Sequence, residues 1–268
     1  MNLFDLTNEV AVCIGAGGAL AGAIAEGFAG AGATVAVVDL RLEAAQARAQ
    51  SIVSKGGKAQ AFQANAVEKE SLQKAHDAIV ASLGAPTVLL NAAGGNDPKT
   101  TVTADNPFEA IPFENWRRNF DLNLAAGALL PCQVFGPGMV ARGRGSIINI
   151  ASVSAHIPLS RVVSYSAAKA GVVSLSQFLA RDWATKGVRV NTITPGFFPA
   201  DQNRALLFNP DGSPTDRTKA IWGHTPMNRF GEAQELIGAA VFLASPRASG
   251  FVTGADIKVD GGFLCQTI

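Results

Sequence analysis

Two side chains in this sequence have the types and the spacing for proton transfer at a carbon–oxygen bond. Tyr165, the only tyrosine in the chain, is followed four residues later by Lys169. Residues at positions i and i+4 share one face of a helix, which would place an ammonium beside the phenol. A neighbouring positive charge favours the phenolate and lowers the phenol pKa from its usual value of about 10. The pair predicts a general acid and base, although an ordinary amphipathic helix can also carry a tyrosine and a lysine at this spacing.

The elements that would position this pair alternate between short apolar strands and longer helices. Strands are predicted over 9–14, 33–39, 58–64, 87–91, 145–151, 188–194 and 255–259, and helices over 19–30, 42–55, 69–83, 113–140, 163–186 and 232–243. The alternation predicts an α/β fold, a doubly wound Rossmann sheet of about seven parallel strands with helices on both faces. We expect a single domain over 1–268 with a small helical substrate lid over about 197–228, since no linker or repeat divides the chain.

The composition excludes several classes of protein. Lys and Arg total 22 against 21 for Asp and Glu, which argues against a nucleic-acid or anionic-membrane surface. The three cysteines are far apart and form no metal-like cluster with the three histidines, so we expect no metal and no disulfide. The first basic residue is Arg41, which argues against a signal peptide and for a cytoplasmic protein. The uncharged stretch 122–141 predicts a helix buried in the fold rather than a membrane span.

A turn of small residues after the first strand predicts a dinucleotide site. Its sequence runs Gly15-Ala16-Gly17-Gly18-Ala19-Leu20-Ala21-Gly22 and opens a helix, where backbone N–H groups can approach a pyrophosphate. Asp39 ends the second strand, where a carboxylate accepts hydrogen bonds from ribose hydroxyls and repels a 2′-phosphate. This favours NAD over NADP, and Arg41 is the counter-argument because it could reach a phosphate.

Other polar and small residues end neighbouring strands. Asn65 and Ala66 follow the third strand, and Asn91-Ala92-Ala93-Gly94 closes the fourth. Ligands bind at the carboxyl ends of strands in open α/β sheets, so backbone at 91–94 is expected beside adenine and ribose. Asn and Gly also make ordinary turns, and each residue alone is a weak signal.

Further motifs follow in a fixed order along the second half of the chain. Asn123 lies in a helical region, Ser152 follows the fifth strand 13 residues before Tyr165, and Pro195-Gly196 follows the sixth strand. The chain closes with Val-Asp-Gly-Gly at 259–262. Together with the glycine-rich turn and Tyr-x-x-x-Lys, these motifs resemble the short-chain dehydrogenase/reductase family along the whole chain.

The resemblance implies a role for each of four catalytic residues. Tyr165 is the general acid and base, and Lys169 binds the nicotinamide ribose and lowers the Tyr165 pKa. Ser152 hydrogen-bonds the substrate oxygen, and Asn123 holds a water in a proton relay through Lys169. The implied cofactor-binding set is Gly15, Gly17, Gly18, Ala19, Leu20, Asp39, Asn65, Ala66, Asn91, Ala92, Ala93, Gly94, Tyr165, Lys169, Pro195, Gly196 and Phe198. The family also implies a homotetramer that pairs helices 113–140 and 163–186.

The chain departs from the family pattern at five positions. Ile14 replaces the usual Thr before the first glycine, and Ala19 and Ala21 replace the second and third glycines. Asn65 replaces an acidic residue and can still accept from adenine N6. Ala200 replaces a Thr that often bonds the carboxamide, which puts that contact in doubt.

The segments that would cover the substrate carry a closer resemblance. Residues 93–96, 195–198, 202–213 and 224–231, together with Gly-Gly-Ala-Leu in the phosphate turn, are similar to the D-mannonate oxidoreductase, or fructuronate reductase, branch of the family. That implies a keto sugar acid as the substrate. Arg204 could clamp the carboxylate with a bidentate bond or instead form an ion pair within the lid. The other candidate substrate residues are Asn96, Ser154, His156, Gln202 and Asn203, and His156 could equally be structural.

Several alternatives stay open at the level of sequence. A polyol or sugar dehydrogenase and a 3-oxoacyl-thioester reductase share the same motifs, although we find no basic docking patch for an acyl carrier. A dinucleotide-binding sensor without activity is the alternative outside enzymes. The four intact residues Asn123, Ser152, Tyr165 and Lys169 argue against it.

Overall fold

A seven-stranded parallel sheet lies at the centre of the computed structural model, which describes residues 2–159, 161–200 and 204–267. The strands are β1 Val10–Ile14, β2 Thr34–Asp39, β3 Lys58–Gln63, β4 Val88–Asn91, β5 Gly145–Ile150, β6 Val188–Pro195 and β7 Asp256–Val259. Their order is β3-β2-β1-β4-β5-β6-β7. The doubly wound prediction is confirmed, and every strand bound lies within one residue of the predicted one. The order reverses between β1 and β4, where such sheets bind ligands.

Ten helices connect and cover the strands in the described ranges. They are α1 Ala19–Gly30, α2 Leu42–Ser54, α3 Lys69–Leu83, α4 Phe113–Phe120, α5 Leu130–Arg142, α6 Val163–Trp183, α7 Arg204–Leu207, α8 Asp216–His224, α9 Ile237–Ala244 and α10 Pro246–Ser249. Successive strand residues point to opposite faces, so Val35 and Val37 join one core with α1 and α9. Ala36 and Val38 join a second core with α3, α5 and α6. Both faces of the sheet are therefore buried, as its apolar strands predict.

The long helix predicted over 113–140 is divided into three parts. A π-helical segment, Asp121–Leu129, separates α4 from α5. The composition of Phe113–Arg142 would suit a membrane span, but half of its most apolar window is buried inside the fold. The π-helical segment packs against α6, and α5 packs against α3. The region is therefore an internal helix, as the sequence predicts for 122–141.

The segment expected to form the lid contains two short helices. α7 and α8 are joined by an antiparallel bridge between Phe208 and Pro214. Leu207, Ile221 and Phe230 form a small apolar cluster of their own beneath these helices. The lid segment thus has its own core, apart from the two cores of the sheet.

Candidate active site

An open cleft of about 1340 Å³, its solvent-exposed mouth included, runs along the carboxyl edge of the sheet. It lies at the switch between β1 and β4 that the topology predicts. The predicted residues that line it are Gly15, Gly18, Ala19, Leu20, Asp39, Asn65, Ala66, Ala92, Ala93, Gly94, Tyr165, Lys169 and Phe198. Residues from both halves of the chain thus meet in one wall.

The turn between β1 and α1 has the geometry of a phosphate cradle. Gly15 has a φ of +81°, and a Cβ there would lie 3.0 Å from the backbone nitrogen of Ala93. A residue with a side chain is excluded by both its conformation and this contact. No side chain caps the first turn of α1 and no acidic residue lies in it, so its N–H groups are available to an anion.

Asp39 is held at the edge of the cleft by two backbone donors. Its Oδ2 accepts from the Gly17 N–H at 3.0 Å, and its Oδ1 accepts from the Arg41 N–H at 3.0 Å. Gly17 therefore lies behind the cleft wall and orients Asp39 instead of facing the ligand. A carboxylate has about four acceptor sites, so Asp39 can still accept from ribose hydroxyls. The arrangement fits a dinucleotide without a 2′-phosphate.

Three candidate catalytic side chains meet where β5 ends and α6 begins. Ser152 follows β5, and Tyr165 and Lys169 lie in the first two turns of α6. The Ser152 hydroxyl is hydrogen-bonded to the Tyr165 phenol and also accepts from the Ser154 N–H at 3.2 Å. Lys169 is only 4% exposed, and its Nζ donates to the Ile150 carbonyl at 2.8 Å. The result is a hydroxyl, a phenol and an ammonium along one wall.

The electrostatics of the pair differ from the sequence expectation. Removal of the Tyr165 phenol from water raises its pKa, and the hydrogen bond from Ser152 lowers it. Burial lowers the pKa of Lys169 to about 8. The Lys169 Nζ lies 5.7 Å from the centre of the Tyr165 ring and bonds Ile150 instead. The expectation that Lys169 lowers the Tyr165 pKa is therefore wrong for this state, because desolvation dominates both groups.

Asn123 connects the π-helical segment to the loop after β4. Its Oδ1 accepts from the Gly95 N–H at 2.9 Å, and its Nδ2 donates to the carbonyls of Gly95 at 2.8 Å and Asn119 at 2.9 Å. The side chain is fully buried. Asn123 thus positions the Gly94–Gly95 loop against Lys169, a structural task that the sequence motif does not show. The water relay expected of Asn123 stays a prediction.

The comparisons with known proteins agree with this geometry. Residues 15–264 match the family model described as enoyl-(acyl carrier protein) reductase. A curated oxidoreductase of uncharacterised function from Haemophilus influenzae is 41% identical over 97% of this chain and 94% of its own length. The chain belongs to the short-chain dehydrogenase/reductase family. It is therefore an oxidoreductase that acts on alcohol and carbonyl groups, and the prediction of a nicotinamide dinucleotide cofactor is confirmed at the family level.

Two other members of the family bear on cofactor and substrate. A crystal structure from Haemophilus influenzae, provisionally assigned as a D-mannonate oxidoreductase and with bound NAD, superposes with a TM-score of 0.92. It is 38% identical and covers 99% of both chains. A D-threitol dehydrogenase from Mycolicibacterium smegmatis is 36% identical over 98% of this chain and 95% of its own length.

Besides Gly17, three predicted cofactor residues of this short-chain dehydrogenase/reductase do not line the cleft. Asn91 is fully buried in the sheet, where its Nδ2 donates to Asn149 Oδ1 at 2.8 Å. Pro195 ends β6, and the Gly196 N–H donates to the Val259 carbonyl at 2.9 Å. A Cβ on Gly196 would lie 2.8 Å from the Asp260 Cα, so this glycine permits close packing between two chain segments. These residues support the cleft from behind.

Two of the predicted substrate residues, one in the loop after β4 and one in the loop after β5, make other contacts. Asn96 donates to the Thr101 hydroxyl at 2.7 Å and so braces its own loop. The His156 Nε2 lies 2.8 Å from a carboxylate oxygen of Asp256 on β7. His156 therefore takes the structural role that the sequence left open, tying the loop after Ser152 to the sheet edge. Ser154 is buried and its hydroxyl has no partner among the described residues, which keeps it available to a ligand.

Of the predicted substrate residues in the lid, the structure describes only Arg204. Gln202 and Asn203 lie outside the described residues. Arg204 is exposed, and its guanidinium lies over the Phe208 ring, 5.4 Å from the ring centre. Arg204 forms no ion pair with the described residues, and Phe208, just beyond the end of α7, supplies an aromatic partner instead. The carboxylate clamp stays a prediction.

The sequence reasoning did not anticipate several residues at the site. Gly95 and Ile150 use their backbone to hold Asn123 and Lys169. Their own side chains carry no chemistry, so only the position of Gly95 within Ala-Ala-Gly-Gly gave a signal. Arg161 and Arg217 border a second pocket, and isolated arginines in loops and lids have no sequence signature.

Proposed function

We propose that this enzyme interconverts a ketone and a secondary alcohol of a sugar acid, of the fructuronate and mannonate type, with NAD(H) as its cofactor. The observation that carries the chemistry is the hydrogen bond between the Ser152 hydroxyl and the Tyr165 phenol beside buried Lys169. The same two hydroxyls can bind one carbonyl oxygen from two directions. The similarity to the NAD-bound, provisionally assigned D-mannonate oxidoreductase supports the cofactor and the substrate.

In the direction of reduction, Tyr165 donates its phenolic proton to the ketone oxygen as that oxygen gains negative charge. Ser152 donates a hydrogen bond to the same oxygen and stabilises the charge. NAD(H) supplies the hydride that the carbonyl carbon accepts. Lys169, with its pKa near 8, is protonated at neutral pH and is placed to bind the nicotinamide ribose. In the direction of oxidation Tyr165 takes the alcohol proton.

Asp39 supports NAD in preference to NADP, in a cleft that also provides for the pyrophosphate common to both cofactors. Gly15 and the uncapped start of α1 provide the pyrophosphate site. Asp39 presents a carboxylate where the adenosine ribose would lie, and a 2′-phosphate there would be repelled. Arg41 also borders the cleft, and its backbone N–H holds Asp39 in place.

The test is NADH oxidation with a panel of ketones, in which keto sugar acids are compared with neutral ketoses and 3-oxoacyl thioesters. We expect turnover of a keto acid, and Tyr165→Phe should lower kcat by at least about a hundredfold because it removes the proton donor. Binding of NADH, followed by its fluorescence, should not change in that variant. Equal turnover by Tyr165→Phe and the parent would refute the proton-transfer role.

The same panel separates the alternatives. Preference for a neutral ketose would indicate a polyol dehydrogenase, like the D-threitol dehydrogenase that is 36% identical to this chain. Preference for a 3-oxoacyl thioester would indicate an acyl-thioester ketoreductase. NADH binding without any turnover would indicate a sensor.

We also propose a cytoplasmic homotetramer. Phe113 on α4 is 76% exposed and Phe178 on α6 is 62% exposed, on the two helical segments whose counterparts the family pairs. Large apolar side chains at this exposure are typical of protein interfaces. Light scattering of the purified chain tests the assembly, and a monomer would overturn this proposal.

A further inference from the structure

We propose that the substrate carboxylate binds in a second pocket, against the guanidinium groups of Arg161 and Arg217. This inference rests on the proposed function, because it assigns the acid group of the sugar acid to named residues. It also replaces Arg204, the carboxylate ligand that the sequence suggested.

The second pocket lies between the start of α6 and the lid helix α8, with a volume of about 930 Å³ including its open mouth. Val162, Phe197 and Phe263 contribute an apolar floor. Arg161, Arg217 and His224 contribute polar groups around it. No acidic side chain lines the pocket in the part of the chain that the structure describes, so its electrostatic character is cationic.

The pocket adjoins the catalytic end of the cofactor cleft. Val162 is the N-cap of α6, three residues before Tyr165. Phe197 lines the pocket, and its neighbour Phe198 lines the cleft. We place the carboxylate in the second pocket and the ketone in the cleft, beside Tyr165, which lines it.

The two arginines have no other electrostatic task. Across residues 2–159, 161–200 and 204–267, neither guanidinium forms an ion pair or a side-chain hydrogen bond, in contrast to other cations nearby. Arg229 pairs with Glu235 at 2.6 Å, and Lys219 pairs with Asp216 at 3.0 Å. Arg217 and Lys219 lie on the same helix, two residues apart, yet only Arg217 borders the pocket.

Arg161 is also held in an unfavourable backbone conformation. Its φ is +77°, and the other non-glycine residues with positive φ in the described ranges are Asn8 and Asn228, a type that tolerates this region. The Val102 N–H donates to the Arg161 carbonyl at 2.8 Å and holds this conformation. Strained backbone of this kind is concentrated at ligand sites, where the surrounding structure fixes a side chain in place.

The chemistry of the pocket suits a carboxylate attached to a carbon chain. Guanidinium groups bind carboxylates through two parallel hydrogen bonds, which an ammonium cannot do. Phe197 and Phe263 meet edge to face, with ring centres 5.1 Å apart, and offer aromatic surface to the C–H groups of a sugar. His224 stands 4.5 Å from Phe263, ring centre to ring centre, and adds a hydrogen-bonding nitrogen at the rim.

The experiment measures calorimetric binding of D-mannonate to the enzyme–NADH complex, together with KM for D-fructuronate and D-fructose. These two ketones differ only in a carboxylate in place of a terminal CH2OH group. Arg161→Gln and Arg217→Gln should each weaken D-mannonate binding and raise the D-fructuronate KM by about ten- to a hundredfold, the effect expected for a lost charge-assisted hydrogen bond. The D-fructose KM should not change. Lys219→Gln, on the same helix, is the matched control and should bind D-mannonate as the parent does.

The outcomes distinguish this inference from the proposed function. D-mannonate binding that depends on Arg161 and Arg217, without turnover of D-fructuronate, would refute the proposed substrate and still support the pocket. Unchanged binding in both variants would overturn the pocket. A loss seen only in Arg204→Gln would overturn it as well, because the carboxylate would then belong to the lid helix α7. Sugar phosphates included as competitors should bind more weakly than D-mannonate, and tighter binding would reassign the pocket to phosphate.

Discussion

The substitution Lys169→Met tests whether the buried charge of Lys169 lowers the stability of the folded protein. Lys169 is 4% exposed, and burial lowers its pKa from 10.5 to about 8. A buried ammonium is disfavoured relative to one in water, so the folded protein pays for keeping Lys169 charged at neutral pH. Methionine has a similar length and no charge, and it should remove that cost.

The magnitude follows from the two pKa values. A fall from 10.5 to about 8 corresponds to roughly 3 kcal/mol, at about 1.36 kcal/mol for each pH unit. The substitution also removes the bond from Nζ to the Ile150 carbonyl, which offsets about 1.5 to 3 kcal/mol of the gain. At pH 7 the net effect is thus small, between no change and about 2 kcal/mol of stabilisation.

The pH dependence is larger than the net effect at pH 7. The folded pKa lies below the unfolded one, so the unfolded state binds more protons between about pH 8 and 10.5. The free energy of unfolding of the parent therefore rises with pH across that window. The full cost of burying the charged Lys169 is present below about pH 8. Relative to Lys169→Met, the parent should gain about 2 to 3 kcal/mol between pH 7 and 10.5.

Urea unfolding followed by tryptophan fluorescence, at fixed protein concentration and at several pH values, measures this difference. Subtracting the variant from the parent cancels the other groups that titrate in this range. Lys74→Met, which replaces an exposed lysine on α3, controls for the general loss of a lysine. A parent–variant difference that stays flat from pH 7 to 10.5 would refute the claim that burial controls the protonation of Lys169.

Two further predictions concern the cofactor half of the cleft. Asp39→Ser removes the carboxylate at the expected position of the ribose. In steady-state assays with both cofactors, KM for NADPH should fall and KM for NADH should rise, each by about tenfold. An unchanged ratio of the two KM values would show that Asp39 does not determine the choice of cofactor. Gly94→Ala would place a methyl group 2.6 Å from Asn123 Oδ1 at a φ of +149°, so it should lower stability by about 1 to 3 kcal/mol in urea unfolding and reduce kcat. Gly84 also has a positive φ, but a methyl group there would meet no atom within 4 Å. Gly84→Ala therefore separates the effect of backbone strain from the effect of the contact with Asn123.

Much of the fold and part of the site could be predicted from the sequence. Buried parallel strands read as apolar runs, and each ends where its last apolar residue meets a small or polar one. Asp39 and the Tyr165–Lys169 pair could be placed because a strand end and a helical spacing fix where side chains lie. These are local rules, and they hold regardless of the contacts made by distant parts of the chain.

The remaining features depend on contacts between distant segments. Lys169, on α6, is surrounded by the loop at Gly94 and the carbonyl of Ile150, which are distant from it in the sequence. The lining of the second pocket joins residues near 161, 217 and 263. No periodicity in the sequence indicates such contacts, so the sequence carries no signal for a pocket that Arg161 and Arg217 share.

The π-helical segment Asp121–Leu129 has a consequence for what evolution can change in this protein. An α-helix turns by about 100° for each residue, so one residue more or less rotates everything beyond it. Here the widened turn lets Asn123 face the Gly95 loop while α5 keeps its apolar side against α3. A single deletion within 121–129 would restore regular winding and force a choice between the two faces. We expect such deletions to be tolerated by neither the catalytic cleft nor the core.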